Sequence, residues 1–285
     1  MNVAEALYPR GRGGSKQQLY LQNNMCDSSQ FENRIINYDC LDIMSNMPNK
    51  SVDMILCDLP YQSTARNSWD QMIDCEILWS HYKRIIKDNG AIVLTATQLF
   101  ASHLISSNPN MFRYDYVWVK NKTTGFLNAK RMPLRQHELV LVFYKKLPVY
   151  NPQKTTGHNP ANLFTKHTSD GTNYGETNVG ISGGGQTDRY PTSILKFPVV
   201  NNDSKYKYHP TQKPVDLFEW LIRTYTNEDN VVLDNCIGSG TSAVAAIQSN
   251  RNYIGIDSDQ EYCEIARKRI ADTINQRDIF RKDIL

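Results

Sequence analysis

The residues best suited to chemistry fall in two short blocks far apart in the chain. The first is CDLPY at 57–61, directly after the apolar run VDMIL. A carboxylate at the carboxyl end of a parallel strand points into the crevice where open α/β sheets bind ligands. Asp58 would be that carboxylate. Leu59 follows it, Pro60 fixes a backbone angle and removes a donor so that carbonyls turn outward, and Tyr61 offers a flat face. Carboxylate, carbonyl and aromatic plate together suit a planar base that carries an exocyclic amine. Standing alone, the tetrapeptide would read as a strand-terminal turn with a half-buried tyrosine.

The second block is DNCIGSGTS at 234–242, between the apolar strand VVLD and a helix. Gly238 and Gly240 allow a tight turn and a close backbone approach to a ligand, and the following helix start presents free N–H groups. Asp257 ends the next strand, where an acid can accept hydrogen bonds from both hydroxyls of a ribose. The pair implies an adenosine-containing cofactor. The alternative is a plain strand–helix turn, which the acid on the second strand disfavours.

The elements that must position these blocks are visible as alternating patterns. RIINYD, VDMILCD, AIVLT, YDYVWV and ELVLVFY read as strands, and VVLD (231–234) and YIGID (253–257) as two more. Helical spacing appears over 71–87, with a stop at Asn89-Gly90, over 98–107, and in DLFEWLIRTY, which Pro214 and Asp216 open. TSAVAAIQ is helical, and a last helix runs from 259 to about 275, with Ser258 and Glu261 spaced as a capping box. Strands alternating with helices predict a mostly parallel α/β sheet. Residues 1–33 read as a polar arm. Between 145 and 208 the pattern dissolves into Asn, Gly, Thr, Pro and Lys, including GISGGG at 180–185, which predicts a functional insertion or partial disorder.

Charge supports a polyanionic partner. Residues 113–214 hold 15 Lys and Arg against 6 Asp and Glu, a local +9 set against −6 elsewhere, which gives the net +3 of the 285-residue chain. Lys120, Lys122, Lys130, Arg131 and Arg135 cluster around Phe126, and are read as phosphate contacts rather than as a solvated face. The 6 cysteines contain no CxxC pair and no metal-ligand spacing, so reduced thiols and no metal are expected. Cys57 has no identifiable His partner and reads as strand packing. His209 reads as a loop residue framing the cofactor. No apolar run approaches the roughly 20 residues of a membrane span, so a soluble, cytosolic protein is expected.

DLPY, HPTQKP (209–214), DNCIGSGTS and YIGID, in this order, resemble the beta arrangement of the amino-group DNA methyltransferases, which modify adenine at N6 or cytosine at N4. The likeness covers about 34–145 and 205–275, and NYDCLDIM (37–44) resembles the segment preceding the catalytic strand. It implies a Rossmann-like S-adenosylmethionine-dependent fold, with a catalytic half at 34–144, a loop-rich target-recognition insertion at 145–208 and a cofactor half at 209–285. It implies catalysis by Asp58, Leu59, Pro60 and Tyr61. The methionine end of S-adenosylmethionine would be held by Asp234, Gly238, Gly240, Thr241 and Ser242, with Lys213 near its carboxylate, Asp257 on the ribose, Asp39 with Cys40 on the adenine, and Cys236 packing on the cofactor. Two positions depart from the family pattern: Leu59 replaces a proline, and Cys236 an aromatic residue.

The resemblance further implies adenine-N6 methylation of double-stranded DNA in a bacterial or phage-encoded cytoplasmic protein, a cognate restriction endonuclease acting separately, and, as in other members, a homodimer. Cytosine N4 is the first alternative, although that subgroup resembles a Ser at the position of Asp58. A nicotinamide-dependent oxidoreductase would leave DLPY, HPTQKP and the basic middle unexplained, and a catalytically silent DNA-binding module would bind duplex without consuming cofactor.

Overall fold

A computed structural model describes residues 28–61, 73–165, 180–201, 208 and 212–282. Residues 1–27 of the arm expected at 1–33, and His209 of the HPTQKP run, lie outside the described residues, while Phe31 from the end of that arm is buried in the core. One sheet of eight strands runs through the molecule. Its strands are β1 (Arg34–Asn37), β2 (Val52–Cys57), β3 (Ile86–Ala96), β4 (Phe112–Thr124), β5 (Arg135–Phe143), β8 (Ile194–Lys196), β9 (Val231–Asp234) and β10 (Asn252–Asp257), and their spatial order is β1-β10-β9-β2-β3-β5-β4-β8. The block from β1 to β3 is parallel, whereas β5 runs antiparallel to both β3 and β4. A separate two-stranded ribbon pairs β6 (Phe164–Thr165) with β7 (Ser182–Gly183). The expected α/β class with a mostly parallel sheet is what the chain forms.

Period-two alternation explains the layers. Along β2, Ile55 and Cys57 pack on one side, and Met54 and Leu56 on the other. The first side is covered by α1 (Cys40–Asn46), α2 (Cys75–Ile85) and α3 (Gln98–Ser107), through residues such as Met44, Tyr82 and Leu104. The second is covered by α4 (Val215–Tyr225), α5 (Thr241–Gln248) and α6 (Gln260–Lys282), through Phe218, Ala245 and Ala266. A strand buried on both faces is a near-continuous apolar run, as β2 and the second half of β5 are. Among the described residues no helix is long and apolar enough to cross a membrane.

The differences from the sequence reading are local. Cys40–Asn46 forms a helix, started by the Asp39 carboxylate, which accepts from the Leu41 and Asp42 amides. The helix expected to reach residue 87 ends at Ile85, because Ile86 pairs with Val52 and opens β3 at once. Asp259, rather than Ser258, caps the last helix, accepting from Glu261 and Tyr262 amides, and that helix runs on to Lys282. Within the patternless stretch, Ile194–Lys196 joins the main sheet beside β4 and buries Leu195.

The turn after β9 depends on its backing. Gly240 sits at φ +85°, and a Cβ there would meet Ala266 Cβ of α6 at 2.9 Å and its Cα at 3.0 Å. From the same helix the buried Arg269 guanidinium donates to the Ser239 carbonyl at 2.6 Å and the Ser239 hydroxyl at 3.1 Å. Gly240→Ala should therefore lower the unfolding free energy measured by urea titration by about 1–3 kcal/mol. Gly238→Ala, where a Cβ meets nothing within 4 Å, should cost no more than about 2 kcal/mol.

Candidate active site

The order of strands in space, not in sequence, assembles the site. Neighbouring strands β10, β9, β2 and β3 run the same way, so their carboxyl ends bring Asp257, Asp234, Asp58 and Thr95 to one edge. This is where open parallel sheets bind ligands. Because β5 is antiparallel, its beginning reaches the same edge and carries Glu138 there, one residue before Leu139 pairs with Ala96.

Asp58 is held from three directions. Its Oδ1 accepts from the hydroxyls of Tyr61 and Thr95, and its Oδ2 accepts from Lys213 Nζ at 2.6 Å. Lys213 is almost completely buried, yet its ammonium stays charged: burial works against the charge, but Asp58 and Glu138 outweigh it and raise the pKa above the ordinary lysine value. The Tyr61 ring packs on Phe100 at 5.1 Å, and the Lys213 ammonium lies 5.5 Å from its centroid. Burial, then the Asp58 charge, pushes the Tyr61 hydroxyl well above the usual phenol range, so it acts as a donor. The Leu59 side chain is buried in the core, and Pro60 is partly exposed.

The glycine turn is built around two carboxylates. Asp234 accepts from the Cys236 amide at 3.1 Å and the Ser242 hydroxyl at 2.5 Å, and burial pushes its pKa up to about 6 against the pull of those bonds. Asp257 accepts from the Gly238 amide at 2.8 Å and the Asp259 amide at 2.9 Å, and burial again raises it. Each carboxylate oxygen has a second lone pair for a ligand hydroxyl or ammonium. Gly240 is the N-cap of α5 without a side-chain cap, which leaves the first amides of Thr241 and Ser242 as donors at a helix start. Open space above Gly238, donors at the helix start and an acid on the next strand form a cradle that fits S-adenosylmethionine.

The remaining sequence-derived residues divide into those near the site and those at a distance. Cys40, at the start of α1, and Cys236 both lie 3.6 Å from the Asn235 amide nitrogen, so the α1 segment abuts the glycine turn. Asp39 is exposed and caps α1. The Lys213 side chain points to Asp58, while its carbonyl lies 3.5 Å from the Thr241 hydroxyl, so one residue touches both blocks. Lys122, Lys130, Arg131 and Arg135 are exposed on and beside the tip of the β4–β5 hairpin, around Phe126 and Leu127, which are 81% and 99% exposed. Lys120 is turned inward onto Glu138 and the Trp118 ring.

Sequence reasoning missed Thr95, Glu138, Asn235 and Arg269. Two carried a signal: a lone polar residue in AIVLTA, and an acid at the head of the apolar run ELVLVFY.

Comparison with known proteins agrees with this geometry. Residues 52–268 match the N6/N4 family described as DNA methylase. Type II methyltransferase M.HinfI of Haemophilus influenzae is 26% identical over 270 residues, 85% of this chain and 69% of that protein. DNA adenine methyltransferase YhdJ of Escherichia coli (strain K12) is 24% identical over 266 residues, 86% of each. Among solved structures, M1.HpyAVI in complex with SAM superposes with a TM-score of 0.55 at 25% identity, covering 83% of this chain and 98% of that one. With a carboxylate crevice beside a cofactor cradle and a family match over most of its length, the chain belongs to the N6/N4 DNA methylases and is an S-adenosylmethionine-dependent DNA amino-methyltransferase.

Proposed function

We propose that the chain methylates N6 of adenine in double-stranded DNA, with Asp58 as the acceptor of the target amine. The observation that carries this reading is a partly open carboxylate, 24% exposed, at the sheet edge next to the cofactor cradle. A carboxylate rather than a hydroxyl at position 58 supports adenine over cytosine, as does the adenine named in the YhdJ relative. Relatives named as type II methyltransferases support a role beside a separately acting restriction endonuclease.

The lone pair of an exocyclic amine is delocalised into its ring and is a poor nucleophile. Asp58 and the Leu59 carbonyl, by accepting both N–H bonds, favour a tetrahedral nitrogen whose lone pair is free. S-adenosylmethionine, when bound, supplies an electrophilic methyl on a sulfonium. Asp234, Ser242 and the α5 amides would hold its methionine end, and Asp257 its ribose. Positive charge developing on the target nitrogen is stabilised by the Asp58 carboxylate, and most of the remaining acceleration comes from positioning. The base must leave the duplex to reach Asp58, and Tyr61 gives it an aromatic neighbour there. The exposed cations around Phe126 and Leu127 support a DNA-facing hairpin, with residues 145–208 reading sequence.

DNA from cells expressing the protein, digested to nucleosides, should contain N6-methyladenine. Asp58→Ala should abolish it, while calorimetric titration shows cofactor affinity within about threefold of wild type, since the carboxylate faces the target amine. N4-methylcytosine, or methylation by Asp58→Ala, would refute this assignment.

Asp257→Ala should weaken cofactor binding by about tenfold or more, because hydrogen bonds to a charged acceptor contribute about 1.5–3 kcal/mol each. Asp257→Asn should lose less, since it keeps one acceptor oxygen for the Gly238 amide. Equal affinity in all three proteins would remove Asp257 from the cofactor site.

Charge reversal at Lys130 and Arg131 should weaken binding to all duplexes alike, and reduce the salt-dependence slope by about 2 in a filter-binding titration. A loss confined to one sequence would make them base readers instead.

A further inference from the structure

Charges alternate in a row along the sheet edge: Asp58, Lys213, Glu138, Lys120. Lys213 Nζ donates to Asp58 Oδ2 at 2.6 Å and stands 3.4 Å from Glu138 Oε2. Lys120 donates to the other oxygen, Glu138 Oε1. The side chains of Lys213, Lys120 and Glu138 are 6, 10 and 12% exposed. Glu138 Oε2 is buried and accepts no hydrogen bond among the described residues. The row thus holds one short pair at Asp58 and one buried acceptor left open beside it.

The pair at Asp58 opposes the reaction assigned to it. An ammonium against Oδ2 occupies an acceptor position and cancels much of the negative field that would stabilise a nitrogen becoming positive. Lys213 cannot discard its charge, because two carboxylates raise its pKa despite burial. Nor can it reach water without depriving Asp58 of its cation and leaving Glu138 with Lys120 alone. Glu138 offers another acceptor within a swing on the order of 1 Å, to an ordinary N–H···O distance. The two cations keep Glu138 ionised, although burial alone would favour its acid form.

We propose that Glu138 is a positioning residue that draws Lys213 off Asp58 as the target amine arrives, so that Asp58 meets the amine with its charge unshared. The ammonium exchanges one carboxylate for another, and the total charge of the row does not change. Lys120 fixes Glu138 Oε1 and so presents Oε2 to Lys213. This inference rests on Asp58 being the amine acceptor.

The test is a cycle of four full-length proteins, wild type, Glu138→Gln, Lys213→Gln and the double variant, assayed for single-turnover methylation of unmethylated phage DNA at saturating S-adenosylmethionine. Glu138→Gln alone should slow turnover by about tenfold or more while cofactor affinity stays within about twofold. In the Lys213→Gln background the same change should alter turnover by less than about twofold, since no cation remains to be drawn away. Equal losses in the two backgrounds would overturn the proposal.

A crystal structure of the wild type with DNA and S-adenosylhomocysteine avoids any folding defect of the variants. Lys213 should there bond to Glu138 Oε2 and lie beyond about 3.5 Å from Asp58; a retained Lys213–Asp58 pair with the base seated would overturn the proposal. Methylation by Asp58→Ala would instead sink the underlying assignment, whereas an inactive Asp58→Ala beside a cycle without coupling would refute only the role of Glu138.

Discussion

A carboxylate only partly open to water stands at the end of a strand that is itself buried. β2 is buried on both faces, and Asp58 is the residue after its last. Removing one partner from a buried ion pair costs about 3–5 kcal/mol, because a charge is left without compensation. The surroundings of Asp58 follow from that constraint: hydroxyls from Thr95 of β3 and from Tyr61, a lysine from just before α4, and then a second carboxylate and a second lysine to settle the lysine itself. The antiparallel strand in an otherwise parallel block has its place here. If β5 ran parallel to β3, Glu138 would lie at the far edge of the sheet.

The glycine turn is organised differently. Asp234 and Asp257 are satisfied by amides and a hydroxyl of the turn itself, so their charges shape the backbone before any ligand is present. Lys213 joins the halves, with its carbonyl near the first turn of α5 and its ammonium on Asp58. A displacement of α5 would therefore be felt at Asp58 through one residue.

The glycine turn, the strand-terminal acids and the strands were legible because each is written in neighbouring residues: a positive-φ glycine, an apolar run, an Asp at its end. α3 is also local, and its bounds match the spacing. Glu138 and Thr95 were not legible as partners of Asp58, because their meeting depends on strand order and direction. The Lys213–Asp58 pair joins residues 155 positions apart. Short elements escaped for another reason. Cys40–Asn46 and Ile194–Lys196 have too few residues to show a period, and they exist because Asp39 caps the one and β4 templates the other. Ser258 has the spacing of a capping box, but Asp259 is a charged acceptor one residue nearer the helix and takes its place.

The backing of the glycine turn by Ala266 and Arg269 sets an order of events during synthesis. By the time Asp257 has left the ribosome, the chain already contains Asp58, Lys213, both glycines and all eight strands of the sheet. It lacks the helix that closes over Gly240 and anchors Ser239. The contacts that Ala266 and Arg269 make with Gly240 and Ser239 are therefore the last part of the turn's surroundings to be synthesised.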